Sequence, residues 1–231
     1  ARLDVSVIEP DISILAVQGP KAEDLMATVF GEAVRSIRFF NFDYVDFKGT
    51  RQLVQRGGYS KQGGFEIYLR DGTQGTRLWT IFKEAGRAYD IGPGGPNWCE
   101  RVESGLVSYG GDTDTTTNPF EVRMGKYVNL DVPDDTIGIA ALRRIAAEGP
   151  RRHTLGIVLD AGDPVRPGFL WNPLYRDGRK VGDLTNCIFS YRLHKNIGFA
   201  LVARECKVGD RLEARIGGSM QAGTLTELPF I

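Results

Sequence analysis

Gly57-Gly58-Tyr59-Ser60-Lys61-Gln62-Gly63-Gly64-Phe65-Glu66-Ile67-Tyr68-Leu69 is the stretch from which the rest of this chain can be read. Two glycine pairs bracket a polar turn, where the backbone can reverse sharply and approach a neighbour closely. The run after the turn alternates, and because successive strand side chains point to opposite faces, Phe65, Ile67 and Leu69 share one face while Glu66 and Tyr68 share the other. The expected product is a strand from Tyr59 to Leu69 that carries one carboxylate on the side away from its core. A second informative stretch follows, from Asn97 to Tyr109. Asn97 can cap a helix, and Glu100 stands where a capping-box partner reaches back. On that helix Trp98, Val102, Gly105 and Tyr109 form one stripe with Arg101 on its flank, and Glu103 points elsewhere as a solvated or structural charge.

Upstream, Ile12 to Val17 reads as a short buried strand. Gly19-Pro20 then opens a helix whose apolar positions Ala22, Leu25, Met26, Val29 and Phe30 repeat at helical spacing before Gly31 closes it. Ile37 to Phe47 is predicted as an aromatic strand with Phe40, Phe42 and Tyr44 on one side, and Gly49 turns it into a partner strand around Leu53 and Val54. Asp71-Gly72 is a further turn. Leu78, Ile81, Phe82 and Ala85 give a second helix ending at Gly86, and Gly92-Pro93-Gly94-Gly95-Pro96 breaks all regular structure. Strands interleaved with helices covering one face make an α+β layer.

Downstream, residues 110–118 form a polar loop, and a strand is expected around Tyr127 to Leu130. A third helix is capped by Asp134 or Asp135, buries Ile139, Leu142, Ile145 and Ala146, and stops at Gly149-Pro150. That dipeptide is where the sequence divides, giving residues 1–149 as an α+β domain and residues 150–231 as a second domain. The second domain holds a run of short strands, over His153 to Asp160, Trp171 to Thr185, Asn196 to Glu205 and Arg211 to Leu228, with an Asp177-Gly178 hairpin signal. Such a run builds a small antiparallel barrel or sandwich.

Composition narrows the functional classes. Lys+Arg and Asp+Glu both number 29, so no global field draws the chain to nucleic acid or to an anionic membrane, and a small molecule is the expected partner. No apolar run approaches the ~20 residues of a membrane span. Cys99, Cys187 and Cys206 lack any C-x-x-C spacing, and His153 and His194 stand far apart, so neither a metal centre nor a disulfide framework is expected and a reducing cytoplasm fits. Walker A, G-x-G-x-x-G and G-x-S-x-G patterns do not occur. The sequence leaves homo-oligomer formation open.

The G-Y-S-K-Q-G-G-F-E turn and strand, followed by E-R-V-E-S-G-L-V-S-Y-G-G-D and N-P-F-E-V, resembles the folate-dependent methyl-group transferases related to the glycine-cleavage T protein. The likeness is greatest to their tetrahydrofolate-dependent demethylase branch, and it runs from about Val7 to Ile231. The resemblance implies a folate-binding α+β domain followed by a small β-barrel domain, with about a hundred further residues preceding Ala1. It also implies tetrahydrofolate as cofactor, with Glu66 on the pterin, where a carboxylate can accept two adjacent N–H donors in a planar pair. Arg101 and Tyr59 are then further folate contacts, and Trp98 and Tyr109 are candidate contacts to a small methyl donor, since aromatic faces attract a sulfonium cation. Catalytic residues are not assigned. The implied reaction transfers a methyl group from a sulfonium or methoxy donor to N5 of tetrahydrofolate. Aminomethyl transfer from a lipoyl carrier protein and non-catalytic folate binding are the alternatives. Gly58-Tyr59 and Gly110-Gly111-Asp112 depart from the Gly-Trp and Gly-Asn-Asp associated with sulfonium demethylases, which bears on the donor more than on folate.

Overall fold

The computed structural model describes residues 4–58, 62–95, 97–160, 164–165 and 171–231. The chain divides into two compact units, Ala1–Pro96 and Asn97–Ile231.

In the first unit the strands β1 (Ser13–Gln18), β2 (Phe42–Phe47), β3 (Thr50–Arg56) and β4 (Gly64–Leu69) form an antiparallel sheet in the order β1-β4-β3-β2. Helices α1 (Ala22–Phe30) and α2 (Gly75–Ala85) join it. The core takes Val17 from β1, Leu25 and Met26 from α1, Phe65, Ile67 and Leu69 from β4, and Leu78 and Phe82 from α2. The alternation in β4 is as the sequence requires, with those three residues buried and Glu66 and Tyr68 only half-buried. The β2–β3 hairpin turns on Lys48 and Gly49, whose φ angles of 52° and 84° are both positive. Two such residues define the mirror-image turn whose twist suits a hairpin.

Two expectations for this unit are corrected. The aromatic strand begins at Phe42 and not Ile37, because Phe40 sits at φ 60°, outside the extended region, and Glu32–Ser36 is a short 3-10 turn. The strand predicted from Tyr59 starts at Gly64, and Tyr59, Ser60 and Lys61 lie outside the described residues.

In the second unit α3 (Trp98–Glu103) and α4 (Ile139–Glu148) precede the strands β5 (Arg152–Leu159), β6 (Asn172–Arg176), β7 (Arg179–Ser190), β8 (Lys195–Ala203), β9 (Arg211–Ile216) and β10 (Ser219–Thr226). These strands close into an antiparallel barrel in the order β10-β5-β8-β7-β6-β9, so of the two arrangements open to the sequence the barrel is the one formed. Asp177-Gly178 and Gly217-Gly218 repeat the positive-φ hairpin turn of the first unit. Barrel residues such as Ile157, Leu174, Leu184, Ala200, Val202 and Leu225 make one core. Ile188, Ile197 and Phe199 pack instead with Val102 of α3 and with Leu228.

The helix expected from Asn97 to Tyr109 is capped as read, Asn97 Oδ1 accepting from the Glu100 N–H at 2.8 Å. It ends after six residues at Glu103, and Gly105 then turns the chain at φ 70°. The stripe extending to Gly105 and Tyr109 is therefore not formed. Glu103 is not solvated: it is buried, and its Oε1 accepts from Ser190 Oγ at 2.6 Å. No strand forms over Tyr127 to Leu130, where Gly125–Tyr127 is a 3-10 turn followed by irregular chain. Neither Asp134 nor Asp135 caps α4, because Gly138 in the left-handed region precedes it. Asp134 pairs instead with Arg143, whose Nη2 also donates to the Val132 carbonyl at 2.7 Å. Of the four apolar positions expected to be buried there, only Ile139 is; Leu142 and Ile145 are half-buried and Ala146 is exposed.

Barrel closure leaves no room at Gly198, where an added Cβ would stand 2.2 Å from the Asn186 carbonyl oxygen and 2.8 Å from Leu184 Cδ1. Because backbone must move, Gly198→Ala is expected to cost about 3 kcal/mol in urea unfolding. Gly75→Ala has nothing within 4 Å and lies at the start of α2. It is the matched control, expected to leave stability unchanged or raise it by up to ~1 kcal/mol.

Candidate functional site

Register decides what surrounds Glu66. Directly paired residues on antiparallel strands share a face, and Glu66 pairs with Ala16 of β1 and with Gln55 of β3, while Tyr68 pairs with Ile14 and Leu53. These residues form the sheet face opposite the core, extended onto β2 by Phe42 and Tyr44. Ile14, Phe42 and Tyr44 are exposed, so this face offers apolar surface around a polar centre. At that centre the Tyr68 hydroxyl lies 2.9 Å from Glu66 Oε2 and 2.9 Å from Gln55 Oε1. Burial first, and then the hydrogen bond to Glu66, hold the Tyr68 phenol above its ordinary pKa. It keeps its proton through neutral pH and acts as a donor. Glu66 retains acceptor capacity on both oxygens beyond that one bond.

The base of the glycine-flanked turn is held by a residue the sequence did not single out. Gln18 Nε2 donates to the carbonyls of Gly57 and Phe65, both at 3.2 Å. Its amide lies where a Cβ on Gly58 or Gly64 would fall, at 2.3 Å and 2.2 Å from its Oε1. Close approach thus explains these two glycines better than backbone freedom alone.

In the second unit Arg101 is 1% exposed and paired with an equally buried Asp112. Its Nη1 also donates to the Leu106 carbonyl at 2.8 Å, while Nη2 has no hydrogen-bond partner among the described residues. Asp112 further accepts from the Ser108 N–H at 2.8 Å and from Thr185 Oγ1 at 3.2 Å. One carboxylate therefore ties the end of α3, the loop after it and β7 together. The Arg101 Cζ stands 5.8 Å from the Trp98 ring centroid and 5.6 Å from that of Phe199. Trp98 is half-buried beside it, whereas Tyr109 is 74% exposed. Tyr59 lies outside the described residues. Tyr68 and Gln55 were missed in the sequence, although Tyr68 could have been found from its i+2 relation to Glu66. Asp112 and Thr185 carried no local signal.

The three cysteines are free, with Cys187 pushed up to about 12 by burial and Cys99 and Cys206 raised for the same leading reason. Such thiols are poor nucleophiles. Among the described residues no group of three His, Cys, Asp or Glu could hold a metal ion, and no helix is long and apolar enough to cross a membrane.

A sheet with two helices that presents one carboxylate among apolar residues, in a chain that ends in a closed six-stranded barrel, matches a known pairing of domains. Residues 2–132 match the model of the GCVT N-terminal domain, and residues 152–231 match that of the glycine cleavage T-protein C-terminal barrel domain. The chain belongs to the glycine cleavage T-protein family.

Among its relatives it is 43% identical over 225 residues to the dimethylsulfoniopropionate demethylase of Ruegeria pomeroyi, covering 97% of this chain and 61% of that protein. It is 32% identical over 219 residues to the aminomethyltransferase of Caldanaerobacter subterraneus, covering 93% and 57%. The crystal structure of the glycine cleavage system aminomethyltransferase T from Bartonella henselae superimposes with a TM-score of 0.75 at 22% identity, over 96% of this chain and 60% of that one, a likeness of fold. The chain thus spans about three fifths of the length of the relatives it matches.

Proposed function

We propose that this chain forms part of a tetrahydrofolate-dependent demethylase, which moves a methyl group from a small sulfonium or methoxy donor to N5 of tetrahydrofolate. The observation that carries the reading is Glu66, a half-buried carboxylate fixed by Tyr68 on the open face of the sheet, with lone pairs left for a planar pair of N–H donors. Bound tetrahydrofolate supplies N5 as the methyl acceptor. Glu66 then grips the pterin edge, and Ile14, Leu53 and Phe42 provide apolar surface beside it. Arg101 and Tyr59 are the further folate contacts of the proposal. Trp98 and Tyr109 are its contacts to the donor.

The donor decides what else the protein must do. A sulfonium donor releases a neutral thioether that takes no proton, and the proton displaced from N5 passes to water, so orientation at ~3–3.5 Å suffices. A methoxy donor leaves as an alkoxide and needs a general acid. The 43% identity to a dimethylsulfoniopropionate demethylase favours the sulfonium. In the same reading the enzyme is cytoplasmic, and the boundary between its family domains falls at Gly149-Pro150, between the matches that end at residue 132 and begin at residue 152.

The test is a product assay on the natural full-length protein with tetrahydrofolate and a panel of sulfonium, methoxyaromatic and methylamine donors. The expected result is 5-methyltetrahydrofolate, identified by mass, from a sulfonium or methoxy compound. Methylenetetrahydrofolate formed from an aminomethylated lipoyl carrier protein would overturn it in favour of aminomethyl transfer. Folate binding without turnover of any donor would leave a non-catalytic folate-binding protein.

A further inference from the structure

We infer that Tyr68 is a positioning residue for folate recognition, setting the one orientation of Glu66 that can accept two parallel N–H donors; the inference rests on the folate reading above. A glutamate on an open sheet face has three rotatable bonds and gains little from any single rotamer in water. Here one bond is fixed. The Tyr68 hydroxyl donates to Glu66 Oε2 at 2.9 Å, and β4 places the two side chains on the same face two residues apart.

The phenol has a single proton and two acceptors within reach, Glu66 Oε2 and Gln55 Oε1, both at 2.9 Å. The charged oxygen is the stronger acceptor, so the proton goes to Glu66. Gln55, directly across the ladder from Glu66, then holds the hydroxyl from the other side with its amide turned, so that Nε2 donates to the phenol oxygen. The result is a chain of three side chains on neighbouring strands that pins the carboxylate plane. Among the described residues, Oε1 and the second lone pair of Oε2 take no further partner and can serve a ligand. Pre-orienting the acceptor removes part of the ordering cost of binding. Burial of the phenol keeps its proton in place across the neutral range, so the clamp does not loosen with pH there.

The experiment measures the affinity of the natural full-length protein for 5-methyltetrahydrofolate by calorimetric titration, with the variants Tyr68→Phe, Glu66→Ala and the double substitution. Tyr68→Phe keeps the ring and its packing and removes only the hydroxyl. Expected is a roughly tenfold weaker Kd for Tyr68→Phe with an unchanged melting temperature, near loss of binding for Glu66→Ala, and no further effect of Tyr68→Phe once Glu66 is gone. A purely structural Tyr68 would lower the melting temperature of Tyr68→Phe together with its affinity, which overturns the inference. Wild-type affinity in Tyr68→Phe, with binding still lost in Glu66→Ala, overturns the inference and leaves the folate reading standing. Wild-type affinity in Glu66→Ala overturns both.

Discussion

Glu66→Ala is expected to lower kcat/KM for tetrahydrofolate by about 10²–10³-fold while leaving the protein folded. The size follows from what the carboxylate does in the proposed complex. A hydrogen bond to a charged group contributes ~1.5–3 kcal/mol, and a planar pair of them, allowing for non-additivity, amounts to two or three decades of affinity. Stability is spared because Glu66 is outside the core, and because the Tyr68 hydroxyl still has Gln55 Oε1 at 2.9 Å when the carboxylate is gone. Glu66→Gln should be nearly as damaging, since its amide nitrogen meets an N–H donor with another donor. Steady-state kinetics beside a thermal melt decides the matter. Unchanged turnover in the alanine variant would remove Glu66 from the site.

Asp112→Ala is expected to have the largest effect on stability, about 3–5 kcal/mol, or a melting temperature lower by roughly 6–20 °C. The loss comes from what remains. Among the described residues, the Arg101 guanidinium, 1% exposed, would keep only the Leu106 carbonyl as acceptor, and the Ser108 N–H and Thr185 hydroxyl would lose theirs. An uncompensated buried charge is the costly species, not the absence of the pair. Replacing both partners together, as Arg101→Met with Asp112→Leu, should therefore recover most of the stability lost in the single variant. Chemical denaturation of the two single variants and the double measures this directly. An Asp112→Ala protein as stable as the wild type would mean that the pair carries no weight in the fold.

The contrast between these two residues shows where sequence reading succeeds. Glu66 is legible because strand alternation is a local rule with a period of two, and Phe65, Ile67 and Leu69 declare the buried face. Asp112 is not legible, because its partners come from α3, the following loop and β7, and no pattern in G-G-D announces that they converge. The same limit explains the first of two misread segments. Ile37 to Phe47 has strand-like composition, yet Phe40 adopts φ 60° and bonds its N–H to the Arg56 carbonyl, so pairing starts only at Phe42. The Asn97 helix carries a helical stripe to Tyr109, yet Gly105 turns at positive φ and Leu106 places its carbonyl on Arg101. In the first case a hydrogen bond to a distant strand outweighed local propensity; in the second Gly105 is itself a local stop, its N–H bonding the Val102 carbonyl and the Leu106 N–H the Arg101 carbonyl.

Apolar periodicity, turn residues and capping signals by themselves determined that this chain forms a helix-backed sheet followed by an antiparallel barrel or sandwich, and which face of β4 holds a carboxylate, since each of these depends on neighbours within a few positions along the chain. The tertiary structure alone decided that Tyr68 and Gln55 flank that carboxylate and that Arg101 is committed to Asp112. Strand register and loop return bring together groups 11, 13 and 73 positions apart, as between Arg101 and Asp112, Gln55 and Tyr68, and Asp112 and Thr185. Contacts over such separations are set by the packing of the whole unit, which no local stretch encodes.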